Sequence, residues 1–421
     1  MSKLDELIEE MCPNGVEYKP LGDLCYLVTK QTGFDYSNHI KARLLNHKED
    51  GAIPYMQTKF FTGHRFDYNT DYYVPRDIVE KFPKITLNER CLLFSIVGAS
   101  IGNVGLFPAK QMCFLGGAIC VAKVKPEYCV DFLYYCVESH DFQRQIVQKT
   151  KGPQATITVD DIRNFVVPVP PLEVQREIVR VLDNFTFLTA ELTAELTARK
   201  KQYEYYREQL LSADTEIERF TIDECTQKTQ NIKWKDTVGE YDYIDLSSVD
   251  REMSAICETT TINSNSAPSR AQQIVHTDDV LFGTTRPLLK RCCMVPQKYD
   301  GQIASTGFCI LRAQKEKILP RYLYYVISSD AFYKYLEPLQ VEGSYPSVTN
   351  SNVKAYSVSL PSIAVQTRIV RVLDNFEVIC NNLKIGLPAE IEARRKQYEF
   401  YRDKLLTFKE KQFDCCGEMD Y

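Results

Sequence analysis

The sequence contains no stretch approaching eighteen consecutive apolar residues, so no segment reads as a membrane-spanning helix. Its opening, MSKLDELIEEMC, is an acidic helical pattern where a signal peptide needs a basic start and an apolar run, and the expected location is cytoplasmic, with no membrane partner. The 15 cysteines show no CxxC spacing and are scattered singly except for Cys292 with Cys293 and Cys415 with Cys416. Odd in number, they read as buried thiols of a reducing compartment, and no metal site is expected. The five histidines, His39, His47, His64, His140 and His276, are too dispersed to form a ligand pair. A strong charge excess is missing as well. Lys plus Arg number 51 against 56 Asp plus Glu, and a net charge of −5 does not draw the whole chain to nucleic acid. Any DNA contact must be local or shared with a partner.

Catalytic signatures are also wanting. Gly98, Gly102 and Gly105 in SIVGASIGNVG lack the Lys-Ser or Lys-Thr pair of a phosphate loop, and a strand with a turn at a tightly packed surface is expected there. The Pro170-Pro171 pair is preceded by valine and followed by leucine, without the acidic or amide residue and the aromatic that an adenine methyltransferase places around it. Asp77, Glu80 and Lys81 come near nuclease spacing without matching it, and carboxylates three or four apart usually mark a solvated helix face. No catalytic residue is expected. The remaining enzyme readings, a solitary DNA methyltransferase or nuclease, lack their motifs; a protein-binding adaptor without DNA readout is the other alternative.

What is present is enough apolar sequence to fold: 44% hydrophobic and 25% charged over 421 residues, consistent with two or three domains. Tyrosine is frequent, at 26 residues, and suits strands and interfaces. An internal repeat organises the chain. IVRVLDNF occurs at Ile178–Phe185 and again at Ile369–Phe376, preceded by Val174-Gln175 and Val365-Gln366. Downstream, RKKQYEYYREQLL from Arg199 answers RRKQYEFYRDKLL from Arg394, with the offset grown from 191 to 195, about one extra helical turn. The globular regions agree only in outline: Leu133-Tyr134-Tyr135 echoes Leu323-Tyr324-Tyr325, and KGPQATITVDDIRNFVVPVPP echoes EGSYPSVTNSNVKAYSVSLPS.

In the first repeat Ile178, Val181, Leu182, Phe185, Leu188, Leu192, Leu196, Tyr203, Tyr206 and Leu210 recur at helical spacing. In the second, Ile369, Val372, Leu373, Phe376, Ile379, Leu383, Leu387, Ile391, Tyr398, Tyr401 and Leu405 do the same. Gly386 and Pro388 are expected to kink or break the second helix. Two stripes of this length can bury each other as a spacer. The fold class is therefore α+β: two mixed α/β domains separated by two long paired helices, with a pseudo-twofold internal repeat. The expected boundaries are 1–168 for the first domain with its N-terminal helix, 169–213 for the first spacer helix, 214–360 for the second domain, 361–408 for the second spacer helix and 409–421 for a tail.

With these features the chain resembles the specificity subunits of Type I restriction-modification systems, over nearly its whole length. The most telling mark is the tandem tetrapeptide TAEL at Thr189–Leu192 and Thr193–Leu196, between LDNFTFL and TARKKQYEYYREQLL. The resemblance implies two target-recognition domains, each reading one half of a split, asymmetric target in double-stranded DNA. It implies an antiparallel coiled coil that fixes their separation and docks two methyltransferase subunits. It also implies that S-adenosylmethionine for DNA methylation, and ATP with Mg in added restriction or motor subunits, belong to partners, with no cofactor in this chain. One more TAEL would lengthen the helix by a turn, about 6 Å, against about 3.4 Å per base pair, and should shift the preferred gap by about one base pair.

DNA contact requires Lys or Arg for phosphates and bidentate Arg, Asn or Gln for base edges. The loop candidates are Lys30, Arg43, Lys59, His64, Arg65, Lys151 and Gln154 in the first domain, and Lys233, Lys235, Arg286, Lys290, Arg291, Ser344 and Tyr345 in the second. For the spacer and partner docking they are Ile178, Leu182, Phe185, Leu192, Leu196, Tyr203, Ile369, Leu373, Phe376, Leu383, Tyr398 and Tyr401. The basic runs Arg199-Lys200-Lys201 and Arg394-Arg395-Lys396, interleaved with glutamates, read as solvated helix faces before they read as docking sites.

Overall fold

A computed structural model of the chain describes residues 3–63, 65–150, 156–212, 218–251, 253–341, 343–381 and 385–411. The chain separates into two compact units: Met1–Ala190 with Ala393–Tyr421, and Glu191–Glu392. The division falls inside the long helices, so each unit holds the start of one repeated helix and the end of the other.

The first unit is built on runs too apolar to face water. Strand Cys91–Ser95 is buried at every position, and its antiparallel neighbours Val104–Phe107 and Ile119–Val124 are nearly so. With Cys25–Lys30 they form a four-stranded antiparallel sheet. A second four-stranded sheet pairs Ile53–Met56 in parallel with Cys113–Leu115. Helix Val130–Glu138 presents six consecutive buried residues, Phe132 to Val137, as expected of a helix covered on all sides. A second helix follows immediately. Ser139 ends the first and caps the second, His140–Lys149, by accepting from Phe142 N.

The second unit repeats this plan with different residues. Its antiparallel sheet joins Thr226–Gln227, Phe308–Ala313, Val280–Gly283 and Cys292–Met294. A five-stranded sheet again contains one parallel pair, Tyr241–Ile244 with Ile303–Ser305. Helix Pro320–Ile327 is buried from Tyr322 to Ile327. Ser329 caps the helix Asp330–Leu336. Capping boxes start the helices Val159–Asn164 (Thr158 with Asp161) and Asn350–Lys354 (Thr349 with Asn352) at matching places. The exit strands Val166–Val169 and Ser357–Ser359, the second followed by Pro361, each pair with one short strand, an arrangement that leaves Pro168 on an edge.

From these exits start the long helices, Leu172–Leu211 and, broken around Gly386, Ile363–Asn381 and Leu387–Leu405. The repeated glutamine explains its own recurrence. Gln175 is 2% exposed; its Oε1 accepts from Cys129 N at 3.0 Å and its Nε2 donates to Pro170 O at 2.8 Å. Gln366, fully buried, accepts from Leu319 N at 2.9 Å and donates to Lys317 O and Pro361 O, both at 2.9 Å. Each amide thus satisfies an orphan N–H at a domain helix start and ties the spacer helix to its own unit. The repeated aspartates act alike: Tyr135 Oη donates to Asp183 and Tyr325 Oη to Asp374, each at 2.5 Å.

The ends of the helices are anchored just as regularly. In the first unit Asp403 accepts from His140 N at 3.1 Å, and in the second Glu208 accepts from Asp330 N at 2.8 Å. Negative charge is favourable at both of these helix starts. Ring contacts mark the helix pairing: Phe185 stacks on Tyr401 at 5.5 Å in the first unit, and in the second Tyr206 stacks on Phe376 at 5.7 Å while Tyr203 meets the same ring tilted at 6.2 Å. Within each unit the end of one repeated helix thus meets the start of the other. Ile178, Leu182, Ile369 and Leu373 are buried, whereas Leu188, Tyr206, Val372, Ile379 and Tyr401 stay at least 37% exposed. The seam is shallower than its periodicity suggests, because a two-helix pair covers only one strip of each helix. Leu192 and Leu196 are half-buried, and Leu383 lies outside the described residues. The N-terminal helix Lys3–Met11 packs Leu4, Leu7 and Ile8 into the core that includes Leu182 and Leu406. Beyond the second repeated helix, Lys411 N donates to Val16 O at 2.9 Å.

Candidate nucleic-acid interface

In the second unit a loop of residues 284–291 joins strand Val280–Gly283 to Cys292–Met294. It is closed by Gly283 N donating to Arg291 O at 2.8 Å and by Val348 N donating to Thr284 O at 3.0 Å. Inside it Arg286 and Lys290 flank a short 3-10 turn, Pro287–Leu289, with φ of 50° and 55°. Left-handed backbone is unfavourable for any residue with a Cβ. Arg286 N donates to Pro346 O at 2.6 Å, its Nη2 to Ser344 O at 3.3 Å, and its guanidinium carbon sits 4.4 Å from the centre of the Tyr345 ring. Three candidates from distant loops thus form one exposed cluster, with Tyr345 68% exposed.

The other second-unit candidates are placed differently. Lys290 donates to Asp330 at 2.8 Å and lies 5.0 Å over the Tyr333 ring, and the ammonium holds the Asp330 carboxyl below its ordinary range. Arg291 is half-buried and borders a polar hollow of about 300 Å³ with Asp250, Arg251 and Glu258. Lys233 and Lys235 are exposed on either side of Trp234, whose Nε1 donates to Ala271 O at 2.7 Å.

The first unit builds the same loop from other residues. Ser95 N donates to Asn103 O at 2.8 Å, Ile157 N to Ile96 O at 3.0 Å, and Ile101 N to Gly98 O at 3.1 Å, as Leu289 N does to Arg286 O at 3.0 Å. Gly98 and Gly102, with φ of 80° and 85°, stand where the second unit has Arg286 and Lys290. Lys151, Gln154 and His64 lie outside the described residues. Arg43 pairs with Asp77 at 3.0 Å and Lys59 with Asp71, so both are partly committed. Arg65 is exposed in a short hairpin with Phe61–Thr62. Lys30 borders a cleft of about 980 Å³ that sequence reasoning missed. Tyr55 Oη donates there to Gln31 Oε1 at 3.1 Å and Gln31 Nε2 to Leu115 O at 3.3 Å, while Gln57 Oε1 is buried without a hydrogen-bond partner. The only sequence hint was the pair Gly116-Gly117: a Cβ on Gly116 would fall 2.2 Å from Met56 O.

A family model described as Type I restriction modification DNA specificity domain matches the chain twice, over residues 13–199 and 218–393. The chain belongs to this family. Among curated relatives of this specificity-domain protein, the EcoR124I/EcoR124II specificity subunit of Escherichia coli is 34% identical over 255 residues, 57% of this chain and 61% of that one. The type I restriction enzyme specificity subunit S.HindORF215P of Haemophilus influenzae, so described provisionally, is 27% identical over 82% of this chain and 89% of its own length. The chain thus spans about three fifths of the E. coli relative. Among solved structures, an M. genitalium Type I S subunit aligns over 93% of this chain and 96% of that one with a TM-score of 0.49 and 15% identity. The HsdS subunit of Thermoanaerobacter tengcongensis aligns over 45% of this chain and 46% of its own, at 31% identity and a TM-score of 0.38.

Other residues of the specificity-domain protein singled out by sequence have ordinary surroundings. Asp77 and Glu80, on the exposed face of the helix Arg76–Lys81, are tied to Arg43 and Arg76, and Lys81 contacts His39. Arg199 pairs with Glu195 and Arg395 with Glu399 at helical spacing, as solvated faces do. The described cysteines are free thiols, mostly buried, and burial pushes Cys292 and Cys309 up to about 12. Among the described residues no helix is long and apolar enough to cross a membrane.

Proposed function

We propose that this chain is the DNA-reading subunit of a Type I restriction-modification complex, in which each unit recognises one half of a split target. The observation that carries the reading is the repeated frame with unlike loops: both units hold the repeated helices by the same Gln and Asp anchors, while the equivalent loops present Gly98 and Gly102 in one and Arg286 and Lys290 in the other. A shared frame with different exposed donors suits two readers of different sequence, and joining them makes the second contact intramolecular. The partners on this reading are double-stranded DNA, two methyltransferase subunits that carry S-adenosylmethionine, and restriction subunits that carry ATP and Mg. This chain supplies no chemistry of its own.

The experiment is to map methylated bases in cellular DNA when the chain is co-expressed with its methyltransferase subunits. A split, asymmetric target supports the reading, and methylation without sequence preference overturns it in favour of a protein-binding adaptor. The spacer has its own test. The helix is unbroken through both TAEL copies, and inserting a third is expected to widen the gap by one to two base pairs, since it adds about 6 Å against about 3.4 Å per base pair. Both half-targets should stay the same; an unchanged gap would remove the ruler.

A further inference from the structure

We infer that Arg286 is a specificity-determining residue of the second unit, donating to the major-groove edge of a guanine, with Tyr345 and Ser344 holding it in place. This assignment rests on the DNA-reading role proposed above and adds the residue and the base. It begins from a conflict. Arg286 stands at a φ of 50°, which costs an arginine on the order of 1–2 kcal/mol, while the corresponding Gly98 of the first unit meets the same turn without that penalty. The Tyr345 ring and the carbonyls of Ser344 and Pro346 offset only part of the cost. The side chain is exposed, no carboxylate pairs with it among the described residues, and its single side-chain hydrogen bond is a 3.3 Å contact to Ser344 O. Strain kept at an exposed polar position points to use of that side chain elsewhere.

The placement fits a base reader better than a phosphate anchor. The Tyr345 ring takes the face of the guanidinium, and Ser344 O takes one N–H of Nη2, so the other Nη2 N–H and its neighbour on the free edge, Nε or Nη1, form a two-donor fork without a partner among the described residues. Tyr345 itself is 68% exposed. A guanidinium held on a ring surrenders less side-chain entropy on binding, and a fixed fork matches O6 and N7 of guanine bidentately. A phosphate anchor needs charge but no such orientation. Lys290, the other cation at a left-handed position, is already held by Asp330 and serves here as a contrast.

The test compares full-length wild type with Arg286→Gly, each purified with its methyltransferase subunits, by selecting bound duplexes from a randomised DNA library at fixed salt. Glycine is the residue the first unit uses in this turn, so the fold should survive, and thermal unfolding checks that it does. The expected result is a guanine position in one half-target that loses roughly ten- to hundredfold discrimination, with the other half-target unchanged. Tyr345→Ala should relax the same position by a smaller factor. Unchanged preference overturns the assignment. So does uniformly weaker binding with preference intact and a salt slope shallower by about one, the signature of a phosphate contact. If Arg286→Gly binds nothing, Arg286→Lys decides: wild-type preference, or no binding again, overturns the assignment, and relaxation at one position upholds it. A wild-type complex that selects no sequence at all refutes the DNA-reading role instead.

Discussion

The two units solve the same structural problem with different residues, and the places where they differ are more informative than those where they agree. Agreement is concentrated at the helix anchors: buried Gln175 and Gln366 at the helix starts, Tyr135 with Asp183 and Tyr325 with Asp374 about three turns in, Asp403 and Glu208 at the helix ends. Disagreement lies in loops and at exposed rims. Position 131 in the first unit is an aspartate paired with Arg90; the matching position in the second is Arg321, paired with Asp374 and Glu377. Buried backbone groups must be satisfied in one geometry, whereas surface charge can change sign if a partner changes with it. The frame is therefore duplicated and the surface is not.

Removing the glutamine anchors should have the largest effect. Gln366→Ala strands three backbone groups and Gln175→Ala two, so losses of about 3 and about 2 kcal/mol are expected. Hydrogen exchange of each unit's central strands would measure them separately. Equal losses would break the idea that the number of backbone groups sets the difference. Next comes Arg321→Ala, expected to cost about 2 kcal/mol in the second unit by leaving Tyr325, Asp374 and Glu377 without their cation. Asp131→Ala in the first unit should cost less than about 1 kcal/mol, because its pair with Arg90 is partly solvated. Chemical denaturation followed unit by unit distinguishes the two.

A smaller contrast concerns the loops. Gly98→Ala has open space around its Cβ but a φ of 80°, and should cost about 1 kcal/mol. Arg286→Gly should be neutral or stabilising by a few tenths of a kcal/mol. A clear loss of stability in that variant would mean the arginine supports its own loop. The smallest contrast is expected at alkaline pH. Burial raises Cys25 and Cys113 in the first unit, and Cys292 and Cys309 in the second, from 9.0 to about 12. Between those values the unfolded chain releases protons that the folded chain keeps, so stability falls as pH rises from about 9 towards 12, in both units alike. Melting temperatures across that range check it, and a drop confined to one unit would contradict the burial argument.

Much of this was legible in the sequence where the signal is local. The repeated blocks, the break at Gly386 and Pro388 and the strand exits at Pro168 and Pro361 all follow from spacing within a few residues. The meaning of the Val-Gln pair was hidden, because the groups that Gln175 and Gln366 satisfy lie some 46 and 47 residues upstream. Nor did the spacing of Gly98 and Gly102 show that Arg286 and Lys290 stand in their places, because that equivalence is defined by strand pairing and φ, not by residue type.

The amino-acid order alone determined that the chain is duplicated, that its long helices carry an apolar stripe, and that cations are spread through its loops without a basic run to announce a binding face. Periodicity and helix-breaking residues act over one or two turns and need no tertiary context. Only the folded chain decided which of those cations come together. Lys290 is drawn to Asp330 and Arg43 to Asp77, while Arg286 is left open beneath Tyr345. That outcome depends on backbone conformation and on neighbours 34 or more residues away, which set the hydrogen-bonding and stacking partners of each side chain.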